Sequence, residues 1–200
     1  MNSSIELTSK NLVVVLGSGR SGTSLVMQVL VGLGMRVSDH LIPGNVSNPD
    51  GFFEDNNIKD AHAKLLSDLR TPSYLPLPED WQNSDATRRT MSTLEELMNS
   101  YCVNNGEVWG FKDPRTNAFL PMWIRLFNRL RIVPRYILAV REPGAVIASL
   151  MRQYNESRNV AELIWLMRNV EALQNTSADL FILHYEDWFL DPVLVANGLC

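Results

Sequence analysis

Cysteine is scarce. Two residues in 200, Cys102 and Cys200, make no disulfide framework, and no Cys/His spacing suits zinc. An excess of positive charge is also missing. With 18 Lys+Arg against 22 Asp+Glu the net charge is −4, so the chain has no global attraction to nucleic acid or an anionic membrane, although a local basic pocket stays open. No apolar run reaches the roughly 18 residues of a membrane span. The opening stretch Met1–Lys10 lacks a basic start followed by an apolar core, which excludes a signal peptide. Internal repeats and low-complexity tracts are absent. These gaps point to a soluble cytoplasmic protein. What is present is a chain 46% hydrophobic and 20% charged. That suffices for one globular core and is too balanced for disorder.

Short apolar runs alternate with helical patterns. Leu12-Val-Val-Val-Leu16 is continuous and closes on Gly17. Tyr136-Ile-Leu-Ala-Val140 and Leu180-Phe-Ile-Leu183 look alike, and Val108-Trp-Gly-Phe111 is a weaker case. Runs apolar at every position suit strands buried on both faces. Between them, Leu25, Val26, Val29, Leu30 and Leu33 fall on one side of a helix, as do Val160, Leu163, Ile164 and Met167. Strands alternating with helices predict a three-layer α/β/α fold around a central parallel sheet, of the P-loop nucleoside-triphosphatase type. Thr71–Asp85, with Pro72, Pro76 and Pro78, reads as a surface excursion.

The strongest motif is Leu16-Gly-Ser-Gly-Arg-Ser-Gly-Thr-Ser-Leu25, which follows a buried run and opens a helix. A Gly-rich turn there points successive backbone N–H groups into one concavity, and the helix start adds its positive dipole end. Such a cradle suits a phosphate. A triphosphatase loop reads G-x-x-x-x-G-K-[ST]. Gly17, Gly22 and Ser24 match it, but Thr23 stands where the lysine belongs, and the cation sits inside the loop at Arg20.

This loop resembles the 5′-phosphosulfate loop of sulfotransferases that use 3′-phosphoadenosine 5′-phosphosulfate (PAPS). Arg20-Ser-Gly-Thr-Ser24 is similar to the Arg-Ser-Gly-Thr-Thr of tyrosylprotein sulfotransferases. The resemblance implies that Arg20, Ser21, Gly22, Thr23 and Ser24 hold the 5′ end of the donor. A second segment, Val140-Arg-Glu-Pro-Gly-Ala-Val-Ile-Ala-Ser149, has an Arg at the carboxyl end of a strand and Pro143 in a first helical turn. Ligands of open parallel sheets sit beyond the carboxyl ends of strands. By resemblance Arg141 and Ser149 grip the 3′-phosphate, and Arg152 is a further source of charge.

Lys112-Asp113-Pro114 is similar to a Lys-Asp-Pro of tyrosylprotein sulfotransferases, which puts Lys112 near the transferring group; Arg115 beside it is a candidate for ordinary ion pairing with Asp113. His184-Tyr-Glu-Asp187 resembles the Tyr-Tyr-Glu-Asp of cytosolic sulfotransferases and makes Tyr185 a candidate ring for the adenine. Asn48-Pro-Asp-Gly-Phe-Phe-Glu-Asp55 resembles an Asn-Pro-x-Gly-Tyr-Phe-Glu segment of bacterial sulfotransferase-like sequences. Glu54 is then the candidate base for an acceptor hydroxyl, with Asp39 and His40 as rivals, or else a helix-start acid.

The implied reaction is in-line sulfuryl transfer from PAPS to a hydroxyl or amine of a small-molecule, carbohydrate or peptide acceptor, with PAP as product. Arg20, Lys112 and Glu54 carry the chemistry, and fixed cations stand in for a metal. The resemblance runs from about Val13 to Asp191. The chain reads as a single domain over residues 1–200 without the basic Gly-containing loop that usually closes over the nucleotide in the family. Two other readings stay open: a P-loop small-molecule kinase, and a nucleotide-binding module without catalysis.

Overall fold

The computed structural model describes residues 11–45, 48–49, 51–101, 107–176 and 180–199. Met1–Lys10, Asp50, Cys102 and Cys200, each used above, lie outside the described residues.

Among the described residues four parallel strands make one sheet: β1 (Leu12–Leu16), β2 (Trp109–Lys112), β3 (Pro134–Val140) and β4 (Leu180–His184), in the order β2-β1-β3-β4. β1 is buried at every position, as its unbroken apolar run requires. Its alternate residues serve two cores. Leu12, Val14 and Leu16 face a large cluster with α2 (Asn56–Asp68), α3 (Asp85–Tyr101), α4 (Thr116–Leu130) and Ala172 of α6 (Arg158–Asn175). Val13 and Val15 face a second cluster with α1 (Thr23–Gly32) and with Trp188 and Val195 from α7 (Asp187–Leu190) and α8 (Pro192–Gly198). Helices on both faces of a parallel sheet are the three-layer α/β/α fold expected above. Each fully buried Leu, Ile or Val in these layers contributes roughly 1.5–3 kcal/mol. α5 (Pro143–Tyr154) packs on α6 through Val146, Ile147, Leu150 and Ala161.

The chain leaves β1 toward β2 on one side and later returns to β3 on the other. The carboxyl ends of β1 and β3 therefore flank a topological switch point, where such sheets bind ligands.

Three expectations need correction. β4 is a strand, but it is not buried on both faces: Phe181 is 42% and Ile182 46% exposed. Among the described residues it is the outermost strand, paired on one side only, with β3. Phe189, Leu190, Val193 and Leu194 of the following helices are exposed as well. In α1 the buried apolar residues are Val26, Met27 and Leu30, while Leu33 lies beyond the last turn and is 49% exposed. In α6 the buried positions are Ala161, Arg168, Asn169 and Ala172, not the Val160–Met167 stripe. Small alanines let α6 approach its neighbours, and the Arg168 head is satisfied there by Glu171 Oε2 at 2.8 Å and by the carbonyl of Ser73. No helix among the described residues is long and apolar enough to cross a membrane.

Candidate active site

The turn between β1 and α1 lines a cleft of about 280 Å³ together with Phe52, Glu54, Lys112, Arg141 and Tyr185. Backbone geometry makes the turn concave. Gly22, just before α1, has φ 87°, a left-handed conformation that glycine adopts without cost. A Cβ there would stand 2.4 Å from Cδ2 of Tyr185, so only glycine permits that ring to lie across the turn. Arg20 is left-handed too, at φ 70°. Ser21 N–H donates to the carbonyl of Ser18 at 3.2 Å, and Gly17 N–H to Oδ1 of Asn117 at 3.4 Å. The N–H groups of Gly19, Arg20, Gly22, Thr23 and Ser24 meet no acceptor among the described residues. Free amides at a helix start form an anion seat.

β2 delivers the second cation. Its register beside β1 sets Lys112 level with Val15, one residue short of the strand end. Lys112 is 3% exposed and donates from Nζ to Glu54 Oε1 at 2.6 Å. A backbone bridge between Glu54 and Lys112 brings the two side by side. Asp55, not Glu54, is the helix-start acid: its Oδ1 accepts from the N–H groups of Asn57 and Ile58 at 2.6 and 3.0 Å. That cap fixes where α2 begins and so aims the preceding Glu54 at the cleft.

β3 ends in Arg141. One guanidinium nitrogen donates to the carbonyl of Arg20 at 3.2 Å, and the plane lies 4.3 Å from the centre of the Tyr185 ring. Its Nε is buried with no partner among the described residues. Arg20 in turn donates from Nε to Ser149 Oγ on α5 at 3.0 Å. The four residues form one cluster at the switch point, and Arg20 rather than Arg141 holds the serine. Tyr185 has one face covered by Arg141 and its neighbour Phe189 at 5.4 Å, edge-on.

Behind Lys112 lies a chain of groups in which the pairing of Arg115 with Asp113 was expected and the partners His62 and Trp123 were not. Asp113 is 1% exposed. It accepts from Arg115 N–H and Nε–H at 2.8 Å each, and stands 3.3 Å from His62 Nδ1. His62 Nε2 is 3.0 Å from the indole nitrogen of Trp123. An indole N–H only donates, so His62 Nε2 accepts and Nδ1 carries the hydrogen given to Asp113. Burial alone would raise the Asp113 carboxyl, but the bonds from His62 and Arg115 outweigh it and hold it well below the usual carboxylate range. A carboxyl lowered by folding stabilises the fold above its unfolded pKa of about 3.9, and this stability is lost as pH falls through the folded value. Urea midpoints should therefore drop below about pH 4, with Asp113→Asn less stable at neutral pH and flatter over the acid range. An unchanged acid slope in that variant would assign the loss to other groups.

Of the ten residues expected to hold the donor or carry the chemistry, rival bases and Arg152 aside, eight line the cleft: Arg20, Gly22, Thr23, Ser24, Glu54, Lys112, Arg141 and Tyr185. Ser149 reaches it through Arg20, and Ser21 turns its hydroxyl inward, 1% exposed and unpartnered among the described residues. The Ser24 hydroxyl donates to the carbonyl of Phe52 at 3.2 Å, tying the Asn48–Glu54 segment to α1. Asp39, His40 and Arg152 are exposed and do not line the cleft. Gln28, Asn48, Phe52, Pro114 and Tyr154 do. The Pro-rich excursion contributes nothing to the cleft; it is pinned by buried Trp81 against Phe119 and by Arg168 on Ser73.

No family model and no curated protein matches the chain. Solved structures do. A sulfotransferase domain from the Synechococcus PCC 7002 olefin synthase matches over 96% of this chain and 73% of its own, with TM-score 0.59 and 24% identity. A sulfotransferase domain from the curacin biosynthetic pathway matches over 96% and 72%, with TM-score 0.54 and 18% identity. A sulfotransferase from Mycobacterium tuberculosis H37Rv matches over 98% and 67%, with TM-score 0.62 and 13% identity. At such identities the likeness speaks for the backbone arrangement: this chain has a sulfotransferase-like α/β fold.

Proposed function

We propose that the protein is a PAPS-dependent sulfotransferase. The observation that carries the reading is the cationic cluster at the switch point. Arg141 bonds the carbonyl of Arg20, whose own guanidinium sits on Ser149, and Lys112 stands across the same cleft. One adenylate with anionic groups at both ends suits such an arrangement. The missing loop lysine argues against a magnesium–triphosphate complex.

The donor supplies a sulfuryl group on a good leaving phosphate. The free amides of the turn and Thr23 bind the 5′ end. Arg141 and Ser149 serve the 3′-phosphate, with Arg20 beside them. Lys112 neutralises charge growing on the bridging oxygen as the S–O bond breaks. Glu54 accepts the proton of the acceptor hydroxyl as its oxygen bonds to sulfur. Phe52, Asn48 and Tyr154 border the acceptor side.

A thermal-shift comparison tests this. PAP without metal, at a hundred times its Kd, should stabilise the protein by about 2.7 kcal/mol. For a chain of this size that is roughly 5–10 °C. A larger shift with magnesium–ATP than with PAP would favour the kinase instead. PAP binding with no transfer to any acceptor would favour a binding module.

A further inference from the structure

The cleft-lining residues do not explain why His62, wholly buried and far from solvent, is bonded at both ring nitrogens. We infer that His62 and Asp113 are positioning residues that hold Arg115 against Glu54. The inference rests on the sulfuryl-transfer reading for its kinetic consequence, but not for its geometry.

The chain of contacts runs without a gap. Trp123 donates to His62 Nε2, which fixes the tautomer, so Nδ1–H points at Asp113. Both side chains are fully shielded from water, at 0% exposure. Asp113 then takes the Arg115 guanidinium from two nitrogens, a fork that sets its plane as well as its position. The same terminal nitrogen of Arg115 that meets Asp113 lies 3.6 Å from Glu54 Oε2, while Lys112 holds Oε1. Glu54 is thus clamped at both oxygens. One clamp, Lys112, comes directly from β2; the other is aimed by a buried carboxylate that a histidine orients.

Burial alone requires that both ring nitrogens find partners; what is particular here is that the chain of bonds ends on the contact of Arg115 with Glu54. Two neighbours of His62, Phe119 and Trp123, lie 5.0 and 5.8 Å from the ring, and an apolar side chain would pack as well between them. Leucine would leave the Trp123 N–H without an acceptor and one acceptor position of the Asp113 carboxylate without its donor. Glutamine can accept from Trp123 and donate to Asp113, so it preserves both links.

The test compares His62→Gln, His62→Leu, Arg115→Met and the His62→Leu/Arg115→Met double variant, by kcat for sulfuryl transfer and by PAP affinity. Each of the Leu and Met variants should lose about tenfold in kcat through a misplaced Glu54. The double variant should fall no further than the worse single, because both act through one guanidinium. His62→Gln should recover most of the rate, and PAP affinity should stay within about twofold throughout. Losses that multiply, a Gln variant no better than Leu, or PAP affinity falling in step with kcat would overturn the inference. If His62→Leu does not fold, His62→Met, whose thioether has no hydrogen to give Asp113, takes its place with the same expectations. The nitrogen NMR resonance of Arg115 Nε decides independently of turnover. It should shift in the Leu or Met variant of His62 and return in Gln. A protein that binds no PAP but shows this shift would sink the sulfotransferase reading alone; an unmoved resonance would sink the positioning role alone.

Discussion

Arg141→Met is expected to weaken PAP binding by about a hundredfold. Charge-assisted hydrogen bonds contribute roughly 1.5–3 kcal/mol each, and about 2.8 kcal/mol is a factor of a hundred. The geometry gives Arg141 two duties. It holds the Arg20 carbonyl and stacks on Tyr185, and its buried Nε is free of partners among the described residues. A comparison ligand separates the duties. Adenosine 5′-monophosphate lacks the 3′-phosphate, so the variant should bind it nearly as the parent does. Calorimetry with both ligands checks this. An equal loss for the two would mean that Arg141 only braces the turn, and the proposed recognition of the 3′-phosphate would have to be abandoned.

Glu54→Gln should lower sulfuryl transfer by about a thousandfold, within the range that a general base contributes. The change is nearly isosteric, and its amide oxygen can still accept from Lys112, which now bonds Glu54 at 2.6 Å. Binding of PAP should therefore persist. Some stability should be lost, because Lys112 is 3% exposed and a buried ammonium left without its carboxylate is costly, by about 3 kcal/mol. Single-turnover measurement with labelled donor separates the effects, since it reads chemistry on saturated protein. Turnover at the parent rate would remove Glu54 as the base. Asp39 and His40 would not inherit the role, as neither borders the cleft.

The glycine-rich turn was legible because its signals coincide within fourteen residues of chain: an unbroken apolar strand, three glycines and a helix start. Arg141 was legible for a similar reason, since a cation at a strand end meets whatever binds there. The pairing of Lys112 with Glu54 was not, although each was a candidate alone. It joins positions 58 apart through a bridge that no local pattern encodes. His62 gave no signal at all. A lone histidine on an amphipathic helix looks the same whether it fills space or orients a carboxylate, and only Trp123 and Asp113 on either side distinguish the two. The edge position of β4 was hidden because Leu180-Phe-Ile-Leu183 is as apolar as a central strand. In α6 the hydrophobic stripe misled because small and polar residues, Ala161, Arg168, Asn169 and Ala172, are the ones enclosed.

Asn117 ties the start of the glycine-rich turn to the interior. It accepts from Gly17 N–H and donates to the carbonyl of Arg168 at 2.8 Å, linking β1, α4 and α6. The first amide of the turn is thereby withdrawn from any visitor, and its contour is set before an encounter begins. An oxyanion arriving there displaces water but has little chain to order, so its capture should proceed at a rate governed by diffusion and attraction rather than by a rearrangement of the loop.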